Sequence, residues 1–76
     1  SSPFQKFGKE VEMMVEALKD LVGKYVILRG QLGGVRTARH GKLLRVWEDH
    51  GKVYVHLEGK GIYSVEVLDE AEVREV

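Results

Sequence analysis

The chain has no cysteine and no asparagine, and proline, threonine and tryptophan occur once each. Without cysteine there is no disulfide, no thiolate metal site and no thiol nucleophile, so a domain of 76 residues must be held by packing or by assembly. The same lack fits a reducing, cytoplasmic setting. No apolar run reaches the roughly 18 residues of a membrane-spanning helix, which excludes one. Ser1-Ser2-Pro3-Phe4 carries no initiator Met, as processing, excision from a longer chain or an appended remnant would leave it. Only Gln5 and Gln31 supply side-chain amides, while Lys, Arg and Glu are plentiful, a balance resembling that of thermophile proteins.

Length predicts one domain over residues 1–76, and a domain of this size buries only about 60% of the surface its unfolded chain exposes. A deep pocket for a small molecule needs about 300 Å³ and walls on all sides, which a thin core hardly supplies. No small-molecule substrate and no cofactor is therefore expected, and binding on an exposed face is the cheaper use of such a scaffold.

Phe4, Phe7, Val11, Met14, Val15, Leu18, Leu21 and Val22 recur at spacings of three and four, one stripe of a helix over about 3–22. Ser2 reads as its N-cap, Pro3 as its first residue, Gln5 as the end of a capping box and Gly23 as its stop. Gly8 is discordant with that helix. Beyond Gly23 the period falls to two and β-branched and aromatic residues take over. Strands are predicted at Tyr25 to Leu28, Gly34 to Trp47, Val53 to Leu57, Ile62 to Leu68 and Val73 to Val76. Glycines mark the junctions: a loop from Gly30 to Gly34, a turn at Glu48 to Gly51, and a hairpin at Gly59-Lys60-Gly61. At Gly41 the alternation slips and Leu43-Leu44 are both apolar, which predicts a bulge or bend that lets one strand serve two sheet faces.

The run Gly41 to Trp47, Lys52 to Leu57, Ile62 to Val65 and Leu68 to Val73 resembles the SH3-like small barrel. That resemblance implies an α+β fold, an N-terminal amphipathic helix followed by a five-stranded antiparallel barrel over about 24–76, with a short helical turn at Asp69 to Glu72 joining the last two strands. The helix-to-strand passage Leu21 to Val26 and the later Leu57-Glu58-Gly59-Lys60-Gly61-Ile62 are similar to the Sm-like branch, whose members bind RNA and form rings. The Asn with which those proteins grip a base has no counterpart here, so that base pocket is not carried over.

Net charge is zero, yet the charges segregate along the chain. Residues 24–45 hold Lys24, Arg29, Arg36, Arg39, Lys42 and Arg45 and no acid, whereas 46–76 hold eight acids against three bases. On adjacent strands these cations, with His40, form a patch suited to the phosphates of RNA or single-stranded DNA. Tyr25, Trp47 and Tyr54, and likewise Tyr63, could stack bases where exposed. Cross-strand ion pairing and a barrel wall of large side chains would leave the same residues in the same places, so both readings stand at this point.

His40, His50 and His56 have no partners at metal-ligand spacing, and neither a nucleophile setting nor paired carboxylates are visible, so no catalytic residue and no metal site is predicted. Gly30-x-x-Gly33-Gly34 lacks the Gly-Lys-Ser/Thr of a phosphate loop. The chain reads as a non-enzymatic nucleic-acid-binding module. The alternative is a protein-interaction or self-assembly module, in which the apolar helix surface, especially Phe4, Phe7 and Met13, or an edge strand meets a partner or a second copy.

Overall fold

A computed structural model describes the backbone of residues 3–74 and the side chains from Val11 to Arg74. The N-cap Ser2, the side chains of Gln5, Phe4 and Phe7, and the end of the last predicted strand lie outside these described residues. One helix, α1 (Pro3–Lys19), precedes four strands: β1 (Tyr25–Leu32), β2 (Val35–Asp49), β3 (Lys52–Leu57) and β4 (Gly61–Val73).

The helix ends at Lys19 rather than at residue 22. Beyond it the amides of Leu21, Val22 and Lys24 turn back on the carbonyls of Leu18, Lys19 and Leu21 at 2.9, 3.2 and 3.0 Å, tightening the exit into short turns. Gly23 then donates its N–H to the Leu43 carbonyl at 2.7 Å, which fixes the helix exit on β2. Val22, placed by its spacing in the apolar stripe, is exposed instead.

The five-stranded barrel expected from the sequence is not what forms. The fourth predicted strand runs on unbroken as β4 to Val73, where the fifth was expected to begin, and no helical turn interrupts it at Asp69 to Glu72. The cause is β1, whose second side needs a partner: β4 runs along it antiparallel from Val65 opposite Leu32 to Val73 opposite Val26. Two bulges keep that pairing, leaving Glu66 and Asp69 without partners in the ladder. Tertiary pairing thus overrides the helical preference of Asp-Glu-Ala-Glu.

Both long strands are shared between two layers. β2 pairs with β1 over Val35 to Lys42 and with β3 over Leu43 to Asp49. The ladder slips between Leu43 and Arg45, so the bulge predicted near Gly41 falls at Leu44. β4 pairs with β3 from Gly61 to Val65 and with β1 beyond. The result is two three-stranded layers, one centred on β1 and the other on β3, joined by β2 and β4 into a closed ring. Two-residue turns at Gly33–Gly34 and His50–Gly51 make the first two hairpins, and His50 itself takes a positive φ of 52°.

The core lies between the layers. Val26, Leu28 and Leu32 of β1 face inward with Val53, Val55 and Leu57 of β3, and Leu43, Val46 and Val65 come from the shared strands. Val11, Val15 and Leu18 join the same cluster, so α1 lies against β2 and β3 and covers core that the ring leaves open. No polar or charged side chain is buried among the described residues, so the interior is held by apolar burial, worth about 1.5–3 kcal/mol for each large side chain.

Candidate functional site

Alternation along β1 decides which predicted site residues share a face. Val26 and Leu28 point inward, so Tyr25, Ile27 and Arg29 point outward. Opposite them on β2 stand Lys42, His40 and Ala38, and opposite Ile27 and Arg29 on β4 stand Glu72 and Glu70. This outer face therefore carries Lys42 and His40 along one edge and acids along the other.

The acids hold part of the cationic set. Arg29 Nη1 lies 3.3 Å from both Glu70 and Glu72, and Arg36 Nη2 lies 2.8 Å from Asp69, a residue displaced by one of the β4 bulges. Both arginines are about half exposed or more, so each pair is worth only about 0–1 kcal/mol, but their charges are compensated locally. For Arg29 and Arg36 the ion-pairing reading holds. Lys24, Lys42, Arg39 and Arg45 make no ion pair among the described residues.

The aromatic residues fall into three settings. Tyr25 places its hydroxyl 2.6 Å from His40 Nδ1 on the β1–β2 face. Tyr63, at the start of β4, packs against the core and carries the Arg39 guanidinium 4.0 Å from its ring centroid. Trp47 and Tyr54, paired across β2 and β3, stack at 5.7 Å and 21°, and Arg45 lies 4.8 Å from the Trp47 ring. All four rings remain partly in solvent. His56 and the exposed Ile62 complete the row beside Arg45 on the outer face of the β3 layer.

The structure thus divides the predicted patch into four. Arg29 and Arg36 face acids; Lys24, Lys42, His40 and Tyr25 share the β1–β2 region; Arg45, Trp47 and Tyr54 form a separate cation–aromatic row. Arg39 stands apart, stacked on Tyr63. Lys60 is the residue the sequence reading passed over, because Gly59-Lys60-Gly61 reads as hairpin punctuation. It lines a small cavity of about 110 Å³ together with Ala38, Arg39, His40 and Tyr63.

A wider cleft of about 400 Å³ opens between α1 and the β3–β4 layer, larger than the size of the chain led one to expect. It is walled by Val11, Met14, Val53 and Val65, with Lys52 and Glu66 also lining it. Among the described residues no group of three or more His, Asp or Glu is placed to hold a metal ion, and no helix is long and apolar enough to cross a membrane. Met13, the predicted interface residue that is described, is 66% exposed. Compared with protein-family models, curated proteins and solved structures, the chain matches none.

Proposed function

We propose that the protein binds single-stranded nucleic acid, with the outer face of the β3 layer as its stacking platform and the uncompensated cations of β2 as its phosphate contacts. The observation that carries this reading is the Trp47–Tyr54 stack with Arg45 beside it. Partly exposed aromatic rings flanked by a guanidinium are what sequence-tolerant single-strand binders use, each stacked base contributing about 1–3 kcal/mol. Arg39, His40, Lys42, Arg45 and Trp47 all lie on β2, so one strand of the protein supplies both kinds of contact.

The single tryptophan makes the test direct. Trp47 emission is followed while a short mixed-sequence RNA is added at several salt concentrations. Quenching is expected, with an affinity that falls as salt rises; about three phosphate contacts correspond to a log–log slope near −2. Arg45→Ala should weaken binding severalfold, whereas Arg36→Ala, whose charge is already met by Asp69, should change it little. Unchanged emission at low salt, with no backbone amide of β2 or β3 moving by NMR, would overturn the proposal.

A second reading has one observation in its favour, the large apolar side chain of Met13 lying open on the helix. Self-association through α1 would appear in sedimentation as a dimer insensitive to salt and dispersed by Met13→Asp. A monomer under all conditions would exclude it.

A further inference from the structure

The two layers of the ring do not close on each other along their whole length. Over Val35 to Lys42, β2 pairs with β1 on one side. On the side away from β1, Ala38, Arg39 and His40 line a cavity with Lys60 and Tyr63 of the β3–β4 hairpin, and among the described residues no backbone ladder joins these two segments. Arg39 crosses the gap to lie on the Tyr63 ring. Its Nε is shut off from solvent and has no hydrogen-bond partner. Such a donor, on a charged group, costs more than the roughly 1–3 kcal/mol of a neutral one left unmet.

Both charged side chains that line the cavity, Arg39 and Lys60, favour an anion. Lys60 lies over the strand, where a side-chain carbon added at Gly41 would meet its Cγ at 3.8 Å. Tyr63 is fixed by donating its hydroxyl to the Lys60 carbonyl at 2.9 Å. His40 spends Nδ1 on the Tyr25 hydroxyl at 2.6 Å, which leaves Nε2 outside that contact. No carboxylate lines the cavity, in contrast to Arg29 and Arg36 a few residues away. A volume of about 110 Å³ has room for about four waters, the space of a single tetrahedral anion and much less than the roughly 300 Å³ a drug-sized ligand needs.

We propose that this seam pocket, built from Arg39, His40 and Lys60 over Tyr63, is a phosphate site. The occupant it implies is one backbone phosphate of the strand that stacks on Trp47, a step that rests on the function proposed above. A guanidinium and an ammonium beside one small cavity, with an imidazole at its wall, are groups suited to charge-assisted hydrogen bonding with such an anion.

Two arms test it. In the first, inorganic phosphate is titrated at constant ionic strength and backbone amides are followed by NMR. Saturable shifts confined to 38–41 and 60–63 are expected, with roughly fivefold or greater weakening in Lys60→Gln and Arg39→Gln. Lys60 is exposed, so Lys60→Gln is read in a folded protein even if Arg39→Gln disturbs the seam. In the second arm, short single-stranded RNA is added with and without phosphate, and Trp47 emission is recorded. Competition between the two supports the strand as the source of the phosphate. Saturable phosphate binding at the pocket with no RNA binding supports the pocket and overturns the nucleic-acid reading. Shifts that stay linear and spread over all exposed cations, while RNA still quenches Trp47, overturn the pocket and leave the nucleic-acid reading standing.

Discussion

At Gly30 the backbones of β1 and β4 come so close that a side-chain carbon would sit 2.1 Å from the Val67 carbonyl oxygen and 2.9 Å from its carbon. The φ of +152° adds a conformation that L residues rarely adopt. Gly51, in the His50–Gly51 turn, also has a positive φ, +77°, but nothing lies within 4 Å of a carbon added there. Gly51→Ala should therefore cost only the conformational term, about 1 kcal/mol. Gly30→Ala must in addition push two strands apart, so a loss above about 3 kcal/mol is expected, a large share of the stability of a small domain. Urea midpoints measure both, and equal losses would show that β4 yields easily at Val67. In the sequence these two glycines look alike, both sitting among turn-like neighbours. A glycine needed for a close approach across the sheet is invisible until the partner strand is known, which is why Gly30 reads as loop and proves to be strand.

At the scale of elements, α1 is anchored by few side chains. Leu18 is fully buried, Val15 is 7% exposed, and Met13 one turn away faces solvent. Leu18→Ala should lower stability by about 2–5 kcal/mol, while Met13→Ala should leave the chemical melt nearly unchanged. Should both be silent, α1 is not docked in solution and the cleft beside Met14 and Val53 is wider than described. The stripe that packs Leu18 is legible in the sequence because helix packing is local and periodic. The bend of β2 is legible for a related reason, since Leu43 and Leu44 break the alternation where the strand changes layers. β4 is not. Its Asp69 to Glu72 segment has a local preference for helix, and only the long-range alignment with β1 turns it into strand. The same alignment hides the site, because which arginines are compensated depends on where Glu70, Glu72 and Asp69 land opposite β1 and β2.

For the whole molecule, net charge is zero by composition, and the fold brings the acids of β4 against part of the basic middle of the chain. The segregation seen in the sequence is partly structural, through Arg29 and Arg36, and partly left over, through Lys24, Arg39, Lys42 and Arg45. The acids of β4 compensate Arg29 and Arg36 and leave the cations without ion pairs mostly on β2, which under the proposed function is where the phosphates of a bound strand would lie. Replacing Asp69→Asn, Glu70→Gln and Glu72→Gln together keeps the shapes, frees both arginines and raises the net charge from zero to +3. Because each exposed pair contributes at most about 1 kcal/mol, the protein should stay folded. RNA affinity should rise, and the salt dependence should steepen by up to about 1.4 in slope if both arginines find phosphates. A stronger but no more salt-sensitive complex would contradict that account. An unchanged affinity would place the strand wholly on the β3 layer, with Arg29 and Arg36 serving the sheet alone.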